Sequence, residues 1–350
     1  MKKKLVGMLA TATLLTMALA GNVQAAEIRS VGPDGEAAVD ASTIELTDDQ
    51  IAQIKEGGYT AAICLHYGGN DWSTSQQKGL EDTFGELGIE IVAVTDANFS
   101  AETQVSNIET VMAKKPDILV SIPTDATATA DAYKQAAAAG IKIVFMDQRA
   151  NGLEAGKDYV SVVSADNYGN GYASGTVLGD ALGGKGKVAM VYYDANFAPT
   201  NQRDEGFRDA MKNYPDIEIV TEQGFTDESG CAEQGDAILT QFPNIDGIYA
   251  SWDVPMEGVL SAVRAAGMEG KVTLACNDLG NNVAREIASG NIAGGGAQMP
   301  YDQGVAEAKL AALALLGEET PSYVAVPAET VTHENVLEAY TDVCTIYPCI

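Results

Sequence analysis

The chain of 350 residues contains 46% hydrophobic residues and 11 prolines, which is the composition of a folded globular protein. Its length is sufficient for one large hydrophobic core or for two cores of ordinary size, and two are expected. It carries 21 basic and 49 acidic residues, and the net charge of -28 repels nucleic-acid backbones and anionic lipid surfaces. These totals exclude nucleic acid as a partner but are compatible with a neutral ligand enclosed away from the surface field.

The first 25 residues predict a Sec signal peptide. A basic start at 2–4 precedes an apolar run at 5–20 that is short for a membrane span, and a small-residue cleavage motif ends at Ala25. Asn22 stands where a lipoprotein needs its lipidated cysteine. Cleavage removes three lysines and no acid, so the net charge falls from -28 to -31. We therefore expect an exported, unlipidated protein of the periplasm.

The five cysteines and two histidines predict no metal site, because their spacing matches no zinc motif. Cys64 and Cys276 lie in apolar strand-like runs and are expected to be buried. Cys344 and Cys349 are close enough in the chain to form a disulfide in an oxidising compartment, whereas Cys231 has no evident partner.

Strand-like and helix-like segments alternate through the first half of the chain. Residues 26–44 are rich in glycine, alanine and acids and indicate a loose leader, and residues 47–50 have the form of a capping box that begins a short helix. An almost unbroken apolar run at 59–66 predicts a strand of a sheet that is covered on both faces. Helices are then predicted near 74–87, 101–115 and 127–139, and strands near 89–95, 117–122 and 141–146.

Residues 159–175 form the segment around which the two halves are organised. The valines within 160–163 predict a strand that passes at residues 166–167 into a helix of small residues. A second series follows, with helices predicted near 168–182, 200–213, 230–241, 254–266 and 281–290 and strands near 187–193, 217–222, 246–251, 271–276 and 292–298. Strict alternation predicts an α/β fold with parallel sheets, and a series on each side of a crossing predicts two Rossmann-like lobes.

In open parallel sheets, ligands bind beyond the carboxyl ends of the strands. The polar and tryptophan side chains near these ends are the candidate ligand-binding residues: Asn70, Trp72, Asp125, Asp147, Gln148, Arg203, Trp252, Asp253, Asp278 and Gln298. Asp and Asn accept hydrogen bonds from hydroxyls, Arg donates to hydroxyl or ring oxygen, and an indole face covers C–H groups. The set therefore indicates a polyhydroxylated ligand.

Each candidate also has a structural interpretation. Asp, Asn and Ser at strand ends often cap the following helix, and a lone tryptophan is often part of a core. Arg203 has Asp204 and Asp209 close by for a surface ion pair. His66 either faces the cleft or makes an interior polar contact. Only the joint occurrence of these residues at one rim favours a binding site.

Taken in order, the motifs at the strand ends resemble those of a known family. They are Asn70-Asp-Trp72 with Gly79, Pro123-Thr-Asp125, Phe145-Met-Asp147, Ser164-Ala-Asp-Asn167, Arg203-Asp-Glu-Gly-Phe207, Ala250-Ser-Trp-Asp253, Asn277-Asp278 and Gly296-Ala-Gln298. From about residue 59 to 340, the chain is similar to the type I periplasmic sugar-binding proteins of the ribose-binding cluster, which supply ABC importers.

The resemblance implies two lobes joined by a multi-strand hinge. Because Gln298 is similar to the family's return crossing, the N-terminal lobe would comprise 45–163 plus 299–350, and the C-terminal lobe 164–298. It also implies a monomer that binds a small neutral carbohydrate or polyol and passes it to a membrane ABC permease, with no catalytic residue and no cofactor. The sugar contacts implied are Asn70, Trp72, Asp147, Arg203, Asp278 and Gln298.

Three departures from the family pattern bear on the ligand. Ser73 replaces a second aromatic residue, Gln148 replaces an arginine although Arg149 is adjacent, and Trp252 replaces a ligand-binding asparagine. Together they remove a charged donor and add an aromatic wall, so a pentose, a hexose and a linear polyol all remain open.

Four other functions would each require particular features of the sequence. A transcription regulator of the same fold would need a basic helix-turn-helix where the signal peptide stands. A dinucleotide-dependent enzyme would need Gly-x-Gly-x-x-Gly after a strand, and none is present. A carbohydrate-acting enzyme would use paired carboxylates such as Asp147 and Asp278. A receptor that presents a signalling sugar to a chemoreceptor is compatible with the sequence.

Overall fold

The structure is a computed structural model that describes residues 27–343. The predicted signal peptide and the predicted Cys344–Cys349 bridge lie outside the described residues. The strands are β1 (Val39–Asp40), β2 (Thr60–Leu65), β3 (Glu90–Asp96), β4 (Ile118–Ser121), β5 (Lys142–Met146), β6 (Ser161–Ala165), β7 (Lys185–Tyr193), β8 (Asp216–Phe225), β9 (Gly247–Ala250), β10 (Thr273–Cys276), β11 (Gly294–Ala297), β12 (Tyr323–Val326) and β13 (Glu329–Thr332). The helices are α1 (Asp48–Gly57), α2 (Asp71–Leu87), α3 (Ala101–Met112), α4 (Ala130–Ala138), α5 (Asn167–Ala181), α6 (Ala198–Met211), α7 (Cys231–Gln241), α8 (Asp253–Ala265), α9 (Asn281–Ala288), α10 (Pro300–Leu315) and α11 (Val336–Val343).

The elements predicted before residue 298 are present with bounds that differ by a few residues. The helix predicted near 168–182 is α5, and the strand predicted near 187–193 is β7. The capping box at the start of α1 is also present. The sequence pattern does not predict the elements after residue 298. Helix α10 is rich in alanine and widely buried, so it shows little amphipathic period, and β12 and β13 are only four residues long.

The first lobe is built on a sheet with the strand order β1-β12-β6-β5-β4-β2-β3. All neighbouring strands in it run parallel. Strands β4 and β6 are buried along their whole length because helices cover both faces, α2 and α10 on one side and α3 and α4 on the other. The carboxyl ends of β2, β4 and β5 therefore meet at one edge.

The second lobe has a sheet with the order β13-β11-β10-β9-β7-β8, in which β13 is antiparallel to β11 and the other pairs are parallel. Helices α5 and α6 cover one face, and α7, α8 and α9 cover the other. The predicted α/β fold with two parallel-stranded sheets is confirmed.

The chain passes between the two sheets at three places within the described residues. These are Asp166 between β6 and α5, residues 298–299 between β11 and α10, and residues 327–328 between β12 and β13. Helix α11 then packs in the core of the second lobe. Residues 329–343 thus differ from the expectation that all of 299–350 would join the first lobe. The reason is that β13 pairs with β11 and the apolar face of α11 packs on α9.

The leader at residues 27–44 also differs from the expected loose segment. The backbone N–H groups of Arg29 and Ser30 donate to the Asp166 carboxylate at 2.9 and 2.8 Å, which fastens the leader to the crossing between the lobes. Strand β1 then adds to the edge of the first sheet, and Ile44 is buried in its core. The Asp166 carboxylate at the crossing thus holds the start of a segment that its composition indicated to be a loose leader.

The cysteines of the described range are free and buried: Cys64, Cys231 and Cys276. Within residues 27–343, no helix combines the length and the hydropathy that crossing a membrane would require.

Candidate functional site

A cavity lies between the lobes at the carboxyl ends of their strands. About 430 Å³ of space there is not filled by protein atoms, a volume that includes solvent at the open mouth of the cleft. Its walls are formed by His66, Tyr67, Trp72, Phe99, Ile122, Asp147, Tyr193, Phe197, Pro199, Thr200, Arg203, Trp252, Asp278 and Gln298. Six candidates from the sequence therefore come together here: Trp72, Asp147, Arg203, Trp252, Asp278 and Gln298.

Arg203 is the cation of this cavity, and its position follows from the packing of α6 on α5. The two helices approach so closely that a Cβ atom on Gly171 would lie 1.8 Å from the Arg203 carbonyl oxygen. The buried guanidinium donates from Nε to Asn167 Oδ1 at 2.9 Å and from Nη1 to Asp278 Oδ2 at 3.1 Å. Arg203 therefore faces the cleft and does not pair with Asp204 or Asp209.

Asp278 is held by partners from both sides. Its Oδ1 accepts from Gln298 Nε2 at 2.7 Å, and its Oδ2 accepts from Arg203. Asp253 lies behind it, where its Oδ2 accepts from the Gly280 N–H at 3.0 Å. Burial, reinforced by the negative charge of Asp278, raises the pKa of Asp253 to about 8. Asp253 thus shapes the loop that carries Asp278 and lines a smaller adjoining cavity.

Asp147 is the carboxylate that the first lobe contributes. Its Oδ1 accepts from the Ser164 hydroxyl at 2.9 Å. Burial raises the pKa of Asp147, while the charge of Arg203 and the bonds to Ser164, Ala165 and Asn167 oppose that rise. The two carboxylates and the one guanidinium leave more acceptors than donors, an arrangement that suits the hydroxyl groups of a polyol.

Aromatic rings form much of the remaining wall, and most of them are not among the candidates from the sequence. Tyr67 stacks on Phe99 with ring centroids 4.2 Å apart, and His66 stacks on Phe197 at 5.5 Å. Burial lowers the pKa of His66 to about 3, so this ring is neutral. Their position in the sequence could have identified three of these rings as cavity residues, because His66 and Tyr67 directly follow β2 and Tyr193 ends β7.

Four candidates have structural roles instead of lining this cavity. Asn70 caps α2 by accepting from the Ser73 N–H, and the exposed Asp125 accepts from the N–H groups of Thr127 and Ala128. Asp253 holds Gly280, as described above. Gln148 donates to the Pro123 carbonyl and accepts from the Ala198 N–H of the second lobe. A short polar side chain at the end of a strand often accepts hydrogen bonds from the free N–H groups at the start of the next helix. Local sequence does not distinguish this capping role from ligand binding.

Arg149 does not substitute for the arginine that the family pattern places at Gln148. Its guanidinium makes two hydrogen bonds of 2.7 Å to the Asp34 carboxylate of the leader. The cavity therefore has one fewer charged donor than the family pattern would give it.

The two lobes are in contact across the cleft. Asp71 at the start of α2 accepts from the Asn281 N–H at the start of α9, at 2.7 Å. Gln148 spans to Ala198 at 3.0 Å, and His66 stacks on Phe197. The structure is thus the closed form of a two-lobed protein. Within residues 27–343, no group of three or more His, Cys, Asp and Glu side chains is arranged to hold a metal ion.

Two lobes, several crossings between them and a polar and aromatic cavity enclosed at their interface define a two-lobed solute receptor. A family profile described as the periplasmic binding protein domain matches residues 61–319, which is more than half of the chain, and the chain belongs to this family.

Curated and solved relatives agree with this assignment. The chain is 27% identical over 213 residues to the ribose import binding protein RbsB of Bacillus subtilis, which covers 60% of this chain and 67% of that protein. An ABC transporter solute-binding protein of Actinobacillus succinogenes with bound D-allose has a TM-score of 0.74 at 28% identity, over 80% of this chain and 99% of that one. A second, of Agrobacterium vitis with bound alpha-D-tagatopyranose, has a TM-score of 0.77 at 26% identity, over 83% and 100%. These relatives are binding components of importers, and the chain is a solute-binding protein of the ribose-binding type, not an enzyme.

Proposed function

We propose that the protein binds a small neutral sugar or polyol in the cleft and delivers it to a membrane ABC permease. The observation that carries the proposal is the buried network of Arg203, Asp278 and Gln298 beside two tryptophans, enclosed between the lobes. The buried polar atoms that have no protein partner within the described residues and belong to cavity-lining side chains include Trp72 Nε1, His66 Nδ1 and Gln298 Oε1. They are available to a ligand that offers both donors and acceptors.

The known relatives support the same class of ligand. The names of the curated relatives include ribose and allose, and the two solved relatives hold D-allose and alpha-D-tagatopyranose. Asp147, Arg203, Asp278 and Gln298 would contact the hydroxyl groups here, and Trp72 and Trp252 would cover C–H faces. Which sugar binds depends on the cavity side chains in which this chain departs from the family pattern.

We also propose that the protein is exported as a monomer after cleavage near Ala25, without a lipid anchor. The charge pattern of the first 25 residues and Asn22 in place of a lipidated cysteine support this. The intact mass of the secreted protein tests it, because a retained leader or a diacylglyceryl adduct would change the mass. A dimer in light scattering would contradict the monomer.

For the hinge, we propose that the three crossings bend when the cleft opens while each lobe stays rigid, with residues 45–163 in one lobe and 164–298 in the other. Scattering profiles with and without ligand test this, because rigid-lobe opening predicts a larger radius of gyration for the ligand-free protein.

A thermal-shift screen of the mature protein against sugars and polyols tests the function itself. A ligand at 100 times its Kd adds about 2.7 kcal/mol to the free energy of unfolding, so the cognate compound should stand out by its rise in Tm. Hits are then titrated by calorimetry and recovered after incubation. Recovery of unchanged ligand supports a binding protein, and the absence of any binding sugar or polyol would overturn the proposal.

A further inference from the structure

The charged groups of the cavity are confined to one end, which we call the polar end and define as Asp147, Arg203, Asp278 and Gln298. Gln298 bonds to Asp278, which bonds to Arg203, and all four residues line the same cavity. Asp278 and Gln298 also line the small adjoining cavity that contains Asp253. The polar end therefore adjoins the small cavity that Asp71 of the first lobe and Asp253 of the second lobe line.

The opposite side of the cavity consists of rings, and we call it the aromatic end, defined as Tyr67, Phe99, Tyr193 and Phe197. Phe99 lies 4.2 Å from Tyr67 and 6.2 Å from Tyr193, and Tyr193 lies 6.2 Å from Phe197, all between ring centroids. Tyr67, Phe99 and Tyr193 also line the outer cleft. The aromatic end therefore faces the mouth of the cleft, away from the adjoining cavity behind the polar end.

The two phenylalanines of the aromatic end offer no hydrogen-bond partner to a hydroxyl group. Phe99 and Phe197 have no polar atom in their side chains. The polar atoms of this end are the Tyr193 hydroxyl and the Tyr67 hydroxyl, whose oxygen accepts from Asn70 Nδ2 at 2.5 Å. His66 is neutral, and its buried Nδ1 has no protein partner; the imidazole ring lies next to Trp72. A hydroxyl that packs against the rings of Phe99 and Phe197 would exchange hydrogen bonds to water for contacts with carbon, whereas a methyl group there would only lose its unfavourable contact with water.

We propose, building on the proposed function, that the preferred ligand is a deoxy sugar. Its hydroxylated edge binds at the polar end, and its methyl or methylene terminus packs against Phe99 and Phe197 at the aromatic end. The segregation of charge and rings within one enclosed cavity is the feature that distinguishes this ligand class from fully hydroxylated sugars. Discrimination follows from an unsatisfied hydroxyl, so the deoxy form should bind at least about ten-fold more tightly than its hydroxylated parent.

Matched pairs that differ in one hydroxyl test the proposal by calorimetry on the mature protein. The probes are D-fucose with D-galactose, L-rhamnose with L-mannose, and 5-deoxy-D-ribose with D-ribose, and any other hit of the sugar screen is paired in the same way. The expected result is a lower Kd for the deoxy member of the pair that binds. Equal or tighter binding of the hydroxylated member overturns the proposal but leaves sugar binding intact. If no sugar binds, the proposed function fails as well.

A substitution of Phe99 tests whether this residue causes the preference for the deoxy sugar over its hydroxylated parent. Phe99 is 38% exposed and has a φ of 59°, a left-handed conformation that asparagine adopts readily, so Phe99→Asn should fold. Its amide gives a ligand hydroxyl a partner, and the preference for the deoxy member should fall at least several-fold. Leu337→Asn is the matched control, because Leu337 is an exposed apolar residue outside the cavity. Full discrimination by Phe99→Asn at unchanged Tm would overturn the placement of the methyl terminus and the proposal with it.

Discussion

Asp147 and Asp278 occupy corresponding places in the two lobes and share one cation. Each follows a buried strand within two residues, β5 for Asp147 and β10 for Asp278, and their φ angles of 53° and 67° are both left-handed. Arg203 bonds to Asp278, and its charge opposes the rise that burial causes in the pKa of Asp147. Left-handed backbone at non-glycine residues is costly, and it concentrates at functional sites. The turn therefore aims each carboxylate into the cleft, and closure brings Asp147 of the first lobe towards the guanidinium that Asp278 holds in the second lobe.

The first prediction concerns Asp278→Asn. Asparagine keeps the left-handed turn and an acceptor for Gln298, but it removes the charge opposite Arg203. Loss of one or two charge-assisted bonds of about 1.5–3 kcal/mol each should weaken ligand binding by roughly ten- to several-hundred-fold in calorimetry.

The matched control for Asp278→Asn is Glu222→Gln, which breaks the partly exposed ion pair with Arg208 on the surface of the same lobe. It should leave the Kd unchanged, because such pairs contribute about 0–1 kcal/mol and this one lies outside the cavity. Normal binding by Asp278→Asn would place the ligand elsewhere.

The second prediction compares Arg203, which the sequence selects as a ligand contact, with Arg149, which stands next to the position of the family's arginine. Arg203→Gln should weaken binding by about ten-fold or more, since a buried donor beside Asp278 is lost. Arg149→Gln should leave the Kd unchanged and lower the free energy of unfolding by up to about 1 kcal/mol, because Arg149 pairs with Asp34. Calorimetry with denaturant unfolding measures both quantities. A larger loss of affinity for Arg149→Gln than for Arg203→Gln would reverse the assignment.

The third prediction uses the two tryptophans of the chain. Trp72 and Trp252 both line the cavity and are only 9% and 6% exposed in the closed form. If the ligand-free protein opens, both indoles gain water, so titration with the cognate ligand should shift the emission to shorter wavelength.

Trp72→Phe and Trp252→Phe report each indole separately. Both single variants should retain a ligand-dependent change in emission. A tight-binding ligand that changes neither spectrum would show that the cleft does not close around it.

The fourth prediction concerns the contact between Asp71 and the N-terminus of α9 in the other lobe. This bond of 2.7 Å forms only when the lobes meet, and a capping interaction is worth about 0.5–2 kcal/mol, so Asp71→Ala should weaken ligand binding about two- to thirty-fold. The ligand-free radius of gyration should rise as well. Asp131→Ala is the control, since it removes an exposed first-turn acid from α4 in the same lobe without touching the cleft. Equal affinities for both variants would exclude a latch.

The fifth prediction is a pH dependence of stability at Asp253. Its pKa is about 8 in the folded protein and near 4 in the unfolded chain, so between these values the folded state holds a proton that the unfolded state has released. The free energy of unfolding therefore falls as the pH rises from about 4 to 8, by up to about 1.4 kcal/mol per pH unit. Asp253→Asn lacks this contribution, so the stability of the wild type relative to this variant should decline over that window.

Denaturant unfolding at several pH values measures this difference. The control is Asp227→Asn, an exposed carboxylate whose pKa is lowered by its bonds to Ser229, so its contribution is lost only in acid. A difference between wild type and Asp253→Asn that does not change with pH would show that Asp253 is ionised in the folded protein.

Much of this fold could be predicted from the sequence because its causes are local. Apolar runs of strand length alternate with helical periods, and a sheet covered on both faces requires such runs, as in β4 and β6. The strand ends follow from the same pattern, and ligands bind there in parallel sheets. Trp72, Asp147, Arg203, Trp252, Asp278 and Gln298 could therefore be selected without coordinates.

Tertiary structure alone decided which of the polar strand-end residues face the cleft. Asn70 and Asp125 satisfy the N–H groups of adjacent turns, and Arg149 turns to a leader that the sequence indicated was loose. A side chain's partner depends on which segments are brought close, and that is set by contacts between residues far apart in the chain. The rings of Phe99 and Phe197 come from different lobes and meet at one cavity only when the lobes close. No periodic pattern along the chain indicates that these two rings line the same cavity.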